Sequence, residues 1–326
     1  MLKIKLVNYS YVYGGQEKYL DILYEILTYK GFSVDIEGSP CKLLENKDHN
    51  NNYYYDLTIL NGNSSLYHYM FKCLNNSYVV YIQHSDINDS QGPVWKRYIR
   101  KFLLKVLLLR VDFVVRVCDK CLPEFYAPNK ITTIYNGVSF PNVIKRQEKD
   151  TPLKLLMVGA VNKNKNQSLA IDCLTRLKNA ELTIVGDGPD LEKLKLKAKQ
   201  LNVDHRIKFV GFSDDPSSYY LNHDLLLMLS ENEAFPLVVL EAMARSCPVL
   251  SVPVGGVPEV ITHRDNGWIC QNYEVENLVN MINEINSDNF NYNQISINAR
   301  ETIRHRFTDK LMVKTLINLI SDKVKK

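Results

Sequence analysis

No apolar run in this 326-residue chain reaches the roughly 18 residues that crossing a bilayer requires, so no spanning helix is expected. The opening MLKIKLVNYS has neither the apolar core nor the small-residue cleavage site of a secretory signal, and it reads as a first strand. Neither sign of charge dominates. A formal net charge of +4 suits anionic ligands but leaves no nucleic-acid footprint. The seven cysteines are an odd number, and Cys73, Cys173, Cys247 and Cys270 stand in apolar contexts. That favours a reducing, cytoplasmic setting. Cys118 and Cys121 form a C-x-x-C, but no second pair or neighbouring histidine completes a zinc site. No short internal repeat is present.

What the chain does have is alternation. KIKLVNY, FSVDIE, DLTILNG, YVVYIQH, DFVVRV and KITTIYNG read as strands, with helical periodicity between them over 16–30, 64–74 and 94–109. The polar FPNVIKRQEKDTP, residues 140–152, reads as a linker. The alternation then restarts with LKLLMVGA, ELTIVGDG, RIKFVGF, DLLLMLS, PVLSVPVGG and GWICQN. Residues 292–326 read as wholly helical. A length suited to two domains of about 150 residues and two strand–helix series predict an α/β chain of two doubly wound units. In such sheets ligands bind at the carboxyl ends of strands.

Several residues occupy those ends. Gly14 and Gly15 precede a helix, where glycine lets a backbone approach a phosphate, although Gly-Gly is also an ordinary turn. His84 closes a strand and is either a rim residue or a solvated loop histidine. Lys163 and Lys165 lie between a strand and a helix, where a lysine neutralises a diphosphate, or else they belong to a solvated Asn-rich turn. The glycines of VGDGP read as mainly structural. The segment 94–110 carries Lys96, Arg97, Arg100, Lys101, Lys105 and Arg110 without an acid. It suits anionic headgroups or is a solvated face on a core-packed helix. In that reading Arg97, Lys101 and Lys105 share one face, with Leu103, Val106 and Leu107 on the other sides.

The stretch SENEAFPLVVLEAMARSCPVLSVPVGGVPEV, Ser230 to Val260, holds two glutamates of interest. Pro236 suits the first turn of a helix, which leaves the N–H groups of Leu237 and Val238 without intrahelical acceptors. Glu233 lies just before those donors. Glu241 lies among Leu240, Ala242, Met243 and Ala244, where a carboxylate needs hydroxyls or N–H donors if it is buried. A ribose diol satisfies it, and so does plain solvent if the side chain points outward.

Taken together, GGQE after the first strand, NGV at 136–138, the lysine loop after VG, GDGP, and E-x7-E followed by PV and GGxPE resemble one family. It is the large family of retaining nucleotide-sugar glycosyltransferases, glycosyl transferases group 1, with the GT-B fold of two Rossmann-like domains facing across a cleft. The resemblance is strongest from Leu153 to Cys270. It implies an acceptor-binding domain over 1–144, a sugar-nucleotide domain over 145–307 and a last helix, 308–326, that packs back on the first domain. It implies Glu233, Lys165 and His84 as catalytic residues. Gly14, Gly15, Lys163, Ala234, Phe235, Pro236, Leu237, Val238 and Glu241 would form the donor-binding set. Lys165 would meet the departing diphosphate, Glu233 the donor sugar and Glu241 the ribose.

No metal or other cofactor is implied. The expected partners are a nucleotide-sugar donor, a glycan or lipid-linked acceptor and an inner-leaflet membrane surface, with no nucleic acid. Ala160 stands where the family has an arginine, with Lys163 or Arg264 as substitutes. That departure keeps open a non-catalytic, nucleotide-binding partner, and an epimerase is a third reading.

Overall fold

The computed structural model describes residues 2–9, 14–38, 54–69, 77–87, 93–142, 151–287 and 289–324. The chain forms two compact units, Met1–Gly137 with Asp309–Lys326, and Val138–Thr308. Most of the linker expected over 140–152, and the end of the helix expected over 64–74, lie outside the described residues.

Unit 1 contains β1 (Lys3–Val7), α1 (Gly15–Tyr29), β2 (Ser33–Glu37), β3 (Leu57–Asn61), α2 (Gly62–His68), β4 (Tyr78–Gln83), α3 (Val94–Leu108), β5 (Phe113–Arg116) and β6 (Ile131–Thr133). Its strands form one parallel sheet in the order β2-β1-β3-β4-β5-β6. Every residue of β3 is buried, as expected of a strand covered on both faces, and this is why LTILN reads as a continuous rather than alternating run. At the start of α1 the Glu17 carboxylate reaches back to the Gly14 N–H at 2.8 Å, half of a capping box that satisfies a donor at the helix end.

Unit 2 contains β7 (Leu153–Val158), α4 (Gln167–Arg176), β8 (Ala180–Val185), α5 (Leu191–Gln200), β9 (Ile207–Gly211), α6 (Ser217–Asn222), β10 (Leu225–Met228), α7 (Leu237–Ala244), β11 (Val249–Ser251), α8 (Val257–Val260), β12 (Trp268–Ile269), α9 (Val275–Ser287) and α10 (Asn289–Arg306). The sheet order is β12-β11-β10-β7-β8-β9, again parallel. Helices α4, α5 and α9 share one apolar core with the strands. Helix α7 packs on β10, β11, α6 and α10.

The stretch 292–326 is not one helix. It breaks at Phe307 and Thr308, where Val138 N–H donates to the Phe307 carbonyl at 3.0 Å, and α11 (Asp309–Val324) starts afresh. Helix α11 belongs to unit 1 and packs on α1 through a buried face that includes Val313 and Leu316. The unit boundary falls after Gly137, not at 144.

In each sheet the chain first builds outward on one side and then returns to the other side of its first strand. The reversal lies between β1 and β3 in unit 1, and between β7 and β10 in unit 2. At such a switch point the connections leave in opposite directions and open a crevice at the carboxyl ends.

Candidate functional site

The crevice of unit 2 is bounded by the loops after β7 and β10. The first loop is rich in asparagine because each one has a backbone task. Asn162 Oδ1 accepts the Lys165 N–H at 3.1 Å and caps the short turn Lys163–Lys165. Asn166 adopts the left-handed conformation at φ 56°, which asparagine tolerates better than most residues. Asn164 joins the two loops: its Nδ2 donates to the Asn232 carbonyl at 2.9 Å, and its own carbonyl accepts from Glu231 N–H at 2.8 Å. The loop is therefore ordered by its asparagines, with Lys163 exposed and Lys165 partly buried.

This stapling brings Lys165 and Glu233 together as an ion pair, with side chains 21% and 17% exposed. The Lys165 stem crosses Gly159, where an added Cβ would lie 3.3 Å from Cε. From the third side, the loop after β11 presses on the second. Gly256 N–H donates to the Ala234 carbonyl at 2.6 Å. Gly255 has φ +52°, and a Cβ there would fall 1.9 Å from the Glu233 carbonyl oxygen. Only glycine fits both that conformation and that approach.

Pro236 is the N-cap of α7 rather than its first residue. Leu237 and Val238 then open the helix, and their N–H groups lack an intrahelical acceptor, with the positive end of the helix dipole beside them. Phe235 is buried and lies 5.8 Å, centroid to centroid, from the Phe307 ring. Ala234 and Val238 are half-buried.

Glu241 sits on α7 and does not simply point to solvent. Its Oε2 accepts from the Tyr220 hydroxyl of α6 at 2.9 Å. Burial, and then the Glu241 carboxylate, hold the Tyr220 pKa well above its ordinary value, so the hydroxyl remains a donor. Arg245 Nη2 donates to Ser217 Oγ at 2.6 Å, and its guanidinium stands 5.8 Å from the Tyr220 ring centre. Tyr220 carried no signal in the sequence.

Ala160 is exposed at the end of β7, and its carbonyl accepts from Gln167 Nε2 at 3.0 Å. Neither suggested substitute is engaged beside it. Arg264 pairs with Glu284 of α9 at 2.7 Å, and Lys163 is exposed without an ion-pair partner among the described residues.

At the switch point of unit 1 a polar cluster gathers at the ends of β1, β3 and β4. His84 Nε2 is 2.7 Å from Asn61 Oδ1, and its ring meets Tyr19 edge-on at 4.8 Å. Burial pushes the His84 pKa down to about 3, so the ring is neutral near pH 7. Asn61 Nδ2 donates to Asn8 Oδ1 and to the Gln16 carbonyl, both at 3.1 Å, which turns Oδ1 toward the histidine. The Nε2 nitrogen therefore carries the proton, and Nδ1 keeps its lone pair. His84 is thus fixed in its tautomer, not a solvated loop histidine. Gln16 Nε2 completes the cluster by donating to Asn8 Oδ1 at 2.9 Å. Gly15 opens α1 beside Gln16, and Gly14 is its N-cap. Asn8 and Asn61 escaped the sequence reading, although both sit, like His84, at strand ends.

Cys118 and Cys121 are buried with their sulfurs facing each other. Among the described residues no three His, Cys, Asp or Glu side chains gather as a metal site requires.

Residues 140–302 match the family described as Glycosyl transferases group 1. The chain is 30% identical over 205 residues to N-acetyl-alpha-D-glucosaminyl L-malate synthase of Bacillus anthracis, covering 58% of this chain and 53% of that protein. It is 29% identical over 161 residues to the N-acetylgalactosamine-N,N'-diacetylbacillosaminyl-diphospho-undecaprenol 4-alpha-N-acetylgalactosaminyltransferase of Campylobacter jejuni, covering 47% and 44%. The chain thus spans about half the length of these relatives. In fold it resembles Anabaena HepE in complex with UDP and glucose, with a TM-score of 0.79 and 19% identity over 98% of this chain and 100% of that one. Two parallel six-stranded sheets and this likeness make the fold GT-B.

Proposed function

The chain belongs to the glycosyl transferases group 1 family, and from that premise we propose that it moves a sugar from a nucleoside diphosphate sugar to a glycan acceptor. The observation that carries this is the Lys165–Glu233 pair at the topological switch of unit 2, beside the N-terminus of α7. A cation, a helix N-terminus and a hydroxyl-binding carboxylate in one crevice suit a sugar diphosphate.

Bound donor takes the Lys165 ammonium onto its diphosphate, and Glu233 turns to the donor-sugar hydroxyls. Leu237 and Val238 offer N–H groups to the diphosphate. Glu241, held by Tyr220, accepts from the ribose hydroxyls. The acceptor oxygen bonds to the anomeric carbon on the face from which the diphosphate departs, so configuration is retained. The anomeric carbon–oxygen bond breaks with its electron pair going to the diphosphate, and the acceptor proton leaves with it. Charge grows on the diphosphate as that bond breaks, so Lys165 stabilises the transition state more than the bound donor. Cationic side chains and the helix dipole take the place of a metal ion in this reading.

UDP is the first nucleotide to test, because the Anabaena protein was solved with it. A lipid-linked glycan is the first acceptor class, because the Campylobacter relative is named for a diphospho-undecaprenol substrate. The work would then belong to polysaccharide or glycolipid assembly on the cytoplasmic side. A thermal-shift screen of UDP-, GDP-, ADP- and dTDP-sugars tests the donor. The correct donor raises the melting temperature in proportion to the logarithm of its concentration over its Kd. If none of them does so, the donor reading fails.

The exposed Ala160, with Arg264 engaged elsewhere, favours one second reading: a nucleotide-binding partner without turnover. UDP binding by calorimetry, with no transfer or donor hydrolysis across a broad acceptor panel, would select it.

A further inference from the structure

Helix α3 turns its charge sideways and an apolar stripe outward. Leu104, Leu107 and Leu108 are buried in unit 1, and Leu103 packs partly against the same core. On the opposite side, at helical spacing, stand Trp95, Tyr98, Ile99, Phe102 and Val106, with Leu109 just past the helix end. These six are 59%, 70%, 55%, 71%, 41% and 74% exposed. Isolated exposed apolar residues need no explanation, but a continuous stripe of large ones does. The face expected from Arg97, Lys101 and Lys105 is thus not the outward one. Instead cations flank the stripe. By the 100° step Lys96 lies along one edge, with Arg110 just past the helix end on the same side, and Lys101 and Lys105 lie along the other, while Arg97 and Arg100 fall toward the core-facing side.

We propose that α3 lies flat on an anionic lipid bilayer, with the stripe between headgroups and upper acyl chains and the flanking cations at lipid phosphates. Charge complementarity selects this occupant. The segment 94–111 has no acidic residue, so a negatively charged surface meets no repulsion along its length. Tryptophan and tyrosine favour the boundary between water and hydrocarbon, and lysine and arginine stems reach from an apolar bed to phosphates. At 15 residues the helix is about 22 Å long, too short to span the hydrocarbon. Among the described residues no helix is long and apolar enough to cross.

The inference does not rest on the sugar-transfer reading, and its test involves no turnover. The chain has two tryptophans, Trp95 and the buried Trp268. In a Trp268→Phe variant only Trp95 reports. Vesicles of phosphatidylglycerol and phosphatidylcholine should shift its emission to the blue and shield it from acrylamide, whereas phosphatidylcholine vesicles alone should do so weakly. The chain without that change should cosediment with the anionic vesicles, which keeps the test open if the variant folds poorly. Replacing Ile99 and Phe102 by glutamate should lower the bound fraction at least about tenfold while leaving the melting temperature unchanged. Absence of cosedimentation, or equal binding to neutral vesicles, would overturn the proposal. So would a lipid-free dimer in sedimentation equilibrium with Trp95 already shielded, because the stripe would then be covered by a second copy.

Discussion

Lys165 and Glu233 pair across the crevice between β7 and β10, 68 residues apart in the chain. Each neutralises the other while both stay within reach of solvent. A partly exposed pair of this kind contributes on the order of 1 kcal/mol to stability. Its position matters more than its strength, because an anionic ligand in the crevice competes with Glu233 for the ammonium.

Lys165→Ala should therefore separate activity from stability. Turnover with the matching nucleotide sugar should fall by about a hundredfold or more, as when a charge-stabilising donor is lost elsewhere. The melting temperature should move by no more than about 2 °C. Steady-state kinetics beside a thermal melt measures both. Near-normal turnover would remove Lys165 from the reaction.

Glu241→Ala should raise the Kd for UDP at least about tenfold by calorimetry, the loss expected when a hydrogen-bonding carboxylate leaves a ligand hydroxyl. Tyr220→Phe should weaken binding less, because it removes an orienting bond and keeps the carboxylate. If Glu241→Ala binds UDP normally, its role lies with Tyr220 alone.

Gly255→Ala should damage both fold and site. The new Cβ meets the Glu233 carbonyl, and φ +52° already disfavours alanine. A loss of about 2 kcal/mol or more is expected, a drop of several degrees in melting temperature. Nucleotide affinity should fall too, because relief of the clash displaces Glu233. A melt unchanged from that of the parent chain would contradict this geometry.

Acid stability should carry the signature of His84. Its pKa falls from the ordinary 6.5 to about 3 on folding, so the unfolded chain binds more protons between those values. The resulting stability is complete above about pH 6.5 and is lost as pH falls toward about 3. A His84→Gln variant should show a shallower decline in melting temperature across that window. Parallel curves for the two proteins would mean that His84 protonates freely in the fold.

Ala160→Arg tests the missing cation directly. The site is exposed, so a long side chain costs little there. An added charge at the end of β7 should tighten UDP binding by up to about tenfold, and more weakly at high salt. Unchanged affinity would place residue 160 away from the diphosphate.

Much of this was legible in the sequence, and the reason is periodicity. YVVYIQH is rich in β-branched residues and LKLLMVGA is a short apolar run between Pro152 and Gly159, so β4 and β7 stand where the pattern sets them. The break at Phe307 and Thr308 was hidden because apolar spacing continues on both sides of it. The tie that ends α10, from Val138 to Phe307, spans 169 residues, which no local window contains. The outward apolar face of α3 was hidden for a related reason. Two opposed apolar stripes, one buried and one exposed, leave no single hydrophobic face in its periodicity. Among the candidate residues, Glu241 stood out because a carboxylate is costly among apolar neighbours, and Glu233 and Lys165 through their places in loops that lead into helices. Tyr220, Asn164 and Gly255 act through contacts that only the folded backbone creates.

The three loops around the crevice are tied to one another by main-chain atoms. Glu231 N–H is bound to Asn164, and Gly256 N–H to Ala234. Loop amides normally trade their protons with solvent quickly, since little has to open first. Here the Glu231 and Gly256 amides should trade slowly, on the schedule of the neighbouring strands, with or without nucleotide. The ordering of these loops is therefore settled when the chain folds, before any ligand arrives.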